Sequence, residues 1–342
     1  MDLTEPELDA APLVAWLAER GIALTGETCV RRLVGGRSNL TFALRDATGF
    51  EVVVRRPPLG KLLATAHDTL REARIIDAVG AAGIPVPRVL ATCDDPVRFD
   101  APFAVFEMVD GVVVRDIPSA VSAPAALSAH SGPALVDALA MLHGEQVAAL
   151  GLDDLERPGS YVERQLRRWS AQWQATRSEE SPLLETTHRV LVDRAPRQQA
   201  AALVHGDPKL DNCIFSNEGE LRALVDWELS TVGDPLADFA LFLAYWAEPG
   251  DDEHALQSPP SVCDGFARRA ELIERYAAQS ALDLEALPYY LAFSYWKLAC
   301  VVSGVHARLA SGSLGAATEN VTAYARQVER LTQLSHDALT AL

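Results

Sequence analysis

Two kinds of patterning divide this chain. The run CVRRLVGGRSNLTFALRDATGFEVVVRRPP reads as three strands, near residues 28–34, 39–45 and 51–56. Gly35-Gly36 interrupts the first pair and Ala47-Thr48-Gly49 turns into the third. Pro57-Pro58 ends it, because proline cannot donate to a strand ladder. Before these strands, residues 5–20 read as a helix with Leu8, Val14 and Leu17 among its apolar positions. After them, residues 66–81 read as a helix with Leu70, Ala73, Ile75 and Ile76 on its apolar side and Gly83 beyond its end. Two more strands are expected near 86–92 and 102–108.

From residue 130 the pattern turns helical. Pro133–Gln146, Tyr161–Thr176 and Leu183–Arg194 are expected helices, followed by 235–247, 262–279, 285–309 and 316–341. Short strands return only at 202–204, 213–216 and 221–225. The loop 247–261 is acidic, contains proline and reads as exposed. The expected architecture is α+β: a small β-rich lobe over 1–109, then a larger helical lobe over 110–342, joined near Asp110-Gly111.

Composition narrows the function classes. The chain has 342 residues, 49% of them hydrophobic and 23% charged, so it can bury a substantial core. Its formal net charge of −17 argues against nucleic-acid or anionic-membrane binding, which rely on basic surfaces. The cysteines, at 29, 93, 213, 263 and 300, are odd in number and form no C-x-x-C pair. Reduced thiols in a cytoplasm are the expectation. The acidic start MDLTEPELDAAP lacks a signal-peptide pattern, and no uncharged run of spanning length is read.

The candidate chemistry lies in LVHGDPKLDNCIF, residues 203–215, a polar loop between two apolar strands. His205-Gly206-Asp207 is followed by Asn212, the Asp-to-Asn separation of the protein-kinase catalytic loop. ALVDWELS then closes an apolar strand on Asp226, as the kinase metal-binding Asp does. In that chemistry the first Asp orients the attacking hydroxyl and takes its proton. The Asn and the second Asp hold Mg²⁺ against the nucleotide phosphates.

HGDPKLDN, VDWE and GDPLADFA together resemble the aminoglycoside phosphotransferase family, kinase relatives that act on small molecules. The resemblance covers about residues 28–310, and RRPPLGKLLATAHDTLREARII is similar to the branch found joined to acyl-CoA dehydrogenases. It implies a protein-kinase-like bilobal fold and an enzyme that uses ATP and Mg²⁺ on a small-molecule hydroxyl acceptor. Asp207 would be the catalytic residue, with Asn212 and Asp226 as metal ligands. Lys209 is read two ways, as a solvated surface lysine or as a cation beside the phosphoryl group in flight. His205 is read as packing within the catalytic segment. Asp234 and Asp238 are read as braces, with Gly233-Asp234-Pro235 capping the helix that carries Asp238.

The small lobe should supply the nucleotide contacts. GGRSN stands where protein kinases have a Gly-rich loop, so Gly36, Ser38 and Asn39, with Gly35, are placed to wrap phosphates. Arg55 takes the place of the kinase strand lysine, with Glu72 as its expected partner. Arg56 and Lys61 compete for that role, although Arg56 should face the other side of a regular strand. Main-chain groups near Glu107, Met108 and Val109 should meet adenine. No P-loop, no A-P-E element and no room for an activation loop are found, which disfavours a protein kinase proper.

The acceptor is less legible. Tyr245, Trp246, Tyr289, Tyr290, Tyr295 and Trp296 lie on the acceptor-side helices, where core packing is the favoured reading. Aminoglycosides would need dense carboxylates, and Asp251, Asp252 and Glu253 are the main cluster. The branch resemblance points instead to a hydroxylated acyl group. A nucleotide-binding pseudoenzyme partner of an acyl-CoA dehydrogenase is the competing class.

Overall fold

A computed structural model describes residues 8–33, 39–58, 68–177, 180–310 and 321–341. The chain forms two compact units, Met1–Asp110 with Arg222–Glu228, and Gly111–Leu221 with Leu229–Leu342. Besides ending at Asp110, the first unit takes in 222–228 from later in the chain. The Leu224 amide donates to the Pro85 carbonyl at 2.8 Å and the Arg222 guanidinium to the Asp110 carbonyl at 2.9 Å.

The first unit begins with α1 (Ala10–Ala18), whose N-terminus Asp9 caps. It continues with β1 (Cys29–Leu33), β2 (Leu40–Arg45), β3 (Glu51–Arg56), α2 (Thr69–Ala81), β4 (Val89–Cys93) and β5 (Phe103–Glu107). The strands form one antiparallel sheet in the order β1-β2-β3-β5-β4. Its core joins Leu13, Trp16 and Leu17 of α1 to Phe42, Leu44, Val52, Val54, Phe103 and Val105. Period-two alternation along β3 sends Val52, Val54 and Arg56 to this core face and leaves Arg55 on the other. Helix α2 begins at Thr69, where the Asp68 side chain accepts the Arg71 amide and caps it; residues 66 and 67 of the expected helix lie outside the described residues.

The second unit contains α3 (Ile117–Ser122), α4 (Ala125–Gly144), α5 (Tyr161–Thr176), α6 (Pro182–Asp193), β6 (Ala202–Val204) and β7 (Cys213–Phe215). Most of β8 (Leu221–Leu224) counts with the first unit. Then come β9 (Thr231–Gly233), α7 (Pro235–Tyr245), α8 (Arg269–Gln279), α9 (Leu287–Ala310) and α10 (Val321–Thr340). Helices α3 and β-strand β9 were not expected, being too short to carry a periodic signal. Expected helix 262–279 begins only at Arg269, since Pro260–Val262 forms a separate 3-10 turn.

Helix α4 corrects a proline reading. Pro133 reads as a helix start, yet α4 begins at Ala125 and runs through it. Burial of Leu127, Ser128 and Ser131 keeps the preceding turns helical. Among the described residues, α4 is also the one helix long and apolar enough to cross a membrane, and Leu135, Leu139 and Leu142 on it are fully buried within the protein. Next to the proline, a Cβ on Gly132 would lie 2.5 Å from the ring of Trp246, which is itself buried. Gly132→Val should therefore destabilise the second unit by about 1–3 kcal/mol, the usual cost of overpacking a core. A thermal melt within one degree of wild type would contradict this reading of the contact.

Candidate active site

The loop after β6 is held by a buried carboxylate. Strand β6 pairs antiparallel with β9, Ala202 opposite Gly233 and Val204 opposite Thr231. The chain then turns at Gly206, whose φ is +89° and whose missing Cβ would sit 2.7 Å from the Leu229 carbonyl. Only glycine fits both conditions. The His205 and Gly206 amides donate to the two oxygens of Asp238, each at 2.8 Å. Asp238 also meets His143 Nε2 at 3.2 Å, and His143 Nδ1 meets the Tyr276 hydroxyl at 2.7 Å. Burial alone would raise the Asp238 pKa, but His143, His205 and the Gly206 amide outweigh it and hold it below the usual carboxylate range.

Asp234 caps α7 by accepting the Leu236 amide at 3.0 Å and takes the Tyr290 hydroxyl at 2.6 Å. Both residues thus brace the unit. His205 is fully buried, and its Nδ1 accepts the Asp207 amide at 3.2 Å.

Asp207 is brought together with both of its expected neighbours. A 3-10 turn over Leu210–Asn212 folds the Asn212 amide back, so that Nδ2 donates to the Asp207 carbonyl at 2.8 Å and to Oδ2 at 3.2 Å. Lys209 Nζ donates to Oδ2 at 2.7 Å, and the Tyr245 hydroxyl donates to Oδ1 at 2.7 Å. Burial favours the neutral acid, but the Lys209 charge and these hydrogen bonds prevail, and the Asp207 pKa is lowered. Asp207 is therefore ionised at neutral pH. Lys209 is not a solvated surface lysine; it is half-buried and paired.

In the first unit, Arg55 is the centre. Its Nε lies 2.8 Å from Glu72 Oε2, and its Nη2 lies 2.6 Å from Asp226 Oδ1 and 3.5 Å from Glu228 Oε2. Asp226 adopts φ +68°, a left-handed conformation that non-glycine residues rarely hold without tertiary support. One guanidinium faces three carboxylates, and Arg71 also reaches this corner, its Nη1 donating to the Glu228 carbonyl at 3.4 Å. Glu72 lies on the buried side of α2. Burial, with the Asp226 and Glu228 charges adding to it, pushes its pKa up to about 7 against the pull of Arg55.

The other small-lobe candidates separate. Arg56 turns to the opposite face, 5.7 Å from the Phe42 ring centroid. Asn39 is buried, and neither side-chain atom has a hydrogen-bond partner among the described residues. Glu107 ends β5 with its amide donating to the Arg88 carbonyl at 3.0 Å, and Met108 and Val109 follow half-buried and irregular. Gly36, Ser38 and Lys61 lie outside the described residues.

Beside Asp207, a small cavity of about 20 Å³ is lined by Lys209, Arg115, Tyr245, Phe242, Trp246 and Leu256, among others. Its one acid, Asp211, lies 3.6 Å from Arg115. The acidic loop is already engaged: Asp251 pairs with Arg269, and Glu253 with Arg330. Trp246, Tyr289, Tyr290, Tyr295 and Trp296 are core residues, while Tyr245 is half-buried against Asp207.

Sequence reasoning overlooked three groups. Glu228 stands two residues after Asp226 and completes the Arg55 cluster. His143 lies 3.2 Å from Asp238, and nothing in its local sequence marks it. Lys297 is buried on α9, with Nζ 3.4 Å from the Gly206 carbonyl. Its signal was present: it is the lone charge in LPYYLAFSYWKLAC.

The raised Glu72 pKa yields a prediction with a definite sign. Between the ordinary value of 4.5 and about 7, the folded chain keeps a proton that the unfolded chain has released. Its contribution to stability is therefore full below pH 4.5 and declines as the pH rises towards 7. At about 1.4 kcal/mol per unit this amounts to up to about 3 kcal/mol. Glu72→Gln removes the titration, so urea melts across that window should show a flatter pH dependence than wild type. Equal slopes would refute the assignment.

Comparison with known proteins agrees with the geometry. Mouse acyl-CoA dehydrogenase family member 10 is 33% identical over 333 residues, which cover 94% of this chain and 30% of that protein. The chain thus spans about a third of that relative's length. A crystal structure from Ralstonia eutropha, assigned as an aminoglycoside phosphotransferase, superposes with a TM-score of 0.80 at 25% identity, covering 97% of this chain and 98% of that one. An aminoglycoside phosphotransferase in ternary complex with AMP-PNP and hygromycin B shares the fold, with a TM-score of 0.62 at 14% identity over 95% of this chain and 98% of that one. The family model described as "Phosphotransferase enzyme family" (APH) matches residues 30–288. Well over half of the chain is covered by that match, and the Asp207 loop and the Asp226 segment both fall within it, so this chain belongs to the phosphotransferase enzyme family.

Proposed function

We propose that the protein transfers the γ-phosphate of ATP to a hydroxyl of a small, largely apolar metabolite, with a hydroxylated acyl compound as the acceptor class. The observation that carries this reading is the ionised Asp207 carboxylate beside a cavity whose walls are apolar and cationic. Asp207 takes the acceptor proton and Lys209 offsets phosphoryl charge. Lys209 must then loosen its hold on Asp207 as the phosphoryl group arrives.

The nucleotide side rests on the first unit. Arg55, held by Glu72, faces the phosphates together with Gly36, Ser38 and Asn39, and the chain at Glu107, Met108 and Val109 meets adenine. Buried Asn39, whose amide has no partner among the described residues, supports a ligand there, since an unsatisfied buried amide costs about 1–3 kcal/mol. Asn212 and Asp226 hold Mg²⁺. Their amide and carboxylate oxygens suit a hard cation that completes its shell with waters and phosphate oxygens. When bound, Mg²⁺ neutralises charge on the β- and γ-phosphates.

Charge supports the acceptor ranking. A polycationic aminoglycoside needs several available carboxylates, but Asp251 and Glu253 are paired and the cavity presents Arg115 and Lys209. The relative's name, acyl-CoA dehydrogenase family member 10, supports a functional link to such a dehydrogenase. The five free cysteines fit a cytoplasmic setting.

The test is a kcat/KM comparison of hydroxyacyl compounds with kanamycin-like sugars, with Asp207→Asn as control. The acyl class should be turned over better. Asp207→Asn should keep nucleotide affinity while transfer falls by about 10² or more. Higher kcat/KM for the sugars would reverse the acceptor ranking, and near-normal turnover in the variant would remove Asp207 from its role.

A further inference from the structure

The Asp207 carboxylate has an unequal set of donors. Its Oδ2 receives two, Lys209 at 2.7 Å and Asn212 at 3.2 Å, which is the capacity of one carboxylate oxygen. Its Oδ1 receives one among the described residues, the Tyr245 hydroxyl at 2.7 Å. Tyr245 is the last residue of α7, seven residues after the Asp238 that holds the loop, so one helix sets both ends of this contact. Its ring also lines the cavity beside Lys209. Oδ1 is therefore the oxygen with room for another hydroxyl, and Tyr245 sits where such a hydroxyl must arrive.

We propose that Tyr245 is a positioning residue that guards Asp207 against water. Resting on the phosphotransfer reading above, this inference names how the same site separates an acceptor hydroxyl from solvent. The tyrosine hydroxyl fills one lone pair of Oδ1 and its ring walls off the approach. An acceptor packed against the apolar side chains beside Tyr245 reaches the remaining lone pair, whereas a lone water has no apolar body to hold it there. Without the tyrosine hydroxyl, a water takes its place on Oδ1. That water attacks the γ-phosphorus of ATP: the water O–P bond forms, the bond to the bridging oxygen breaks, and ADP leaves with the electron pair. The proton passes to Oδ1, and the products are ADP and inorganic phosphate.

The experiment measures phosphate release from Mg²⁺-ATP without acceptor, alongside kcat and KM for the best hydroxyl acceptor. Tyr245→Phe keeps the ring and removes one oxygen. It should raise acceptor-independent hydrolysis about fivefold or more, an effect within the range of positioned acid–base catalysis. Acceptor kcat should fall while the KM for ATP stays within about twofold, because Tyr245 acts on the proton acceptor alone. In Tyr245→Phe combined with Asp207→Asn, hydrolysis should return to the wild-type level or below.

Unchanged hydrolysis in Tyr245→Phe would overturn the inference, as would a rise that persists in the double variant. Tyr245→Leu, which loses the same hydroxyl, gives a second reading of the same rates should the phenylalanine variant be insoluble. Wild-type protein that releases no ADP with any hydroxyl compound would refute the phosphotransfer reading itself. Wild-type turnover with unaltered variant hydrolysis refutes only the role of Tyr245.

Discussion

The His205 and Gly206 amides both end on the buried Asp238 carboxylate, and the chemistry of the second unit depends on that arrangement. A loop that leaves a three-residue strand has little ladder to hold it. Two backbone donors satisfied by one ionised acceptor fix its direction, because charge-assisted hydrogen bonds are roughly twice as strong as neutral ones. The left-handed turn at Gly206 then presents Asp207 away from the strand. Removing the carboxylate would strand two buried amides, which costs more than the hydrogen bonds themselves contribute. His143 helps to keep Asp238 ionised, so the loop is held from α4 and α7 at once.

The Arg55 cluster works by the opposite principle. Asp238 is matched by donors, whereas Arg55 is outnumbered by acids. Glu72, Asp226 and Glu228 all meet one guanidinium, and burial of Glu72, with the Asp226 and Glu228 charges added, raises its pKa. The left-handed Asp226 belongs to the same economy of strain, since backbone held in a sparse region persists where its surroundings over-determine it. Return of 222–228 to the first unit brings both Asp226 and Glu228 to Arg55.

Acceptor choice turns on which charges are spent internally. Residues 251–253 look in sequence like a reserve of negative charge. Arg269 and Arg330 draw on it, while Arg115 and Lys209 face the cavity. A molecule with net charge −17 thus places two cations, Arg115 and Lys209, beside Asp207, each paired with an aspartate. Net charge describes the solvent-facing surface and says nothing about a cavity only a few residues across.

By itself the sequence determined the α+β character and the strand and helix order apart from α3 and β9, and it drew Asp207, Asn212 and Asp226 into one expected pattern. These are local properties: alternation along β3, the 3.6-residue stripe of α2, and a five-residue separation that a single turn can close. It also determined that Arg55 and Arg56 face opposite sides, since a strand has period two. Tertiary structure alone decided the rest. Pro133 reads as a helix start, and only burial of the preceding turn shows that α4 passes through it. Tyr245 and Tyr290 look alike in sequence, yet one hydroxyl meets Asp207 and the other meets Asp234. Glu228, His143 and Lys297 find partners 91 to 173 residues away, from 297 − 206, 238 − 143 and 228 − 55. No periodicity reports such pairings, because they arise from which faces the packed helices and the sheet bring together, and that is settled by the whole core at once.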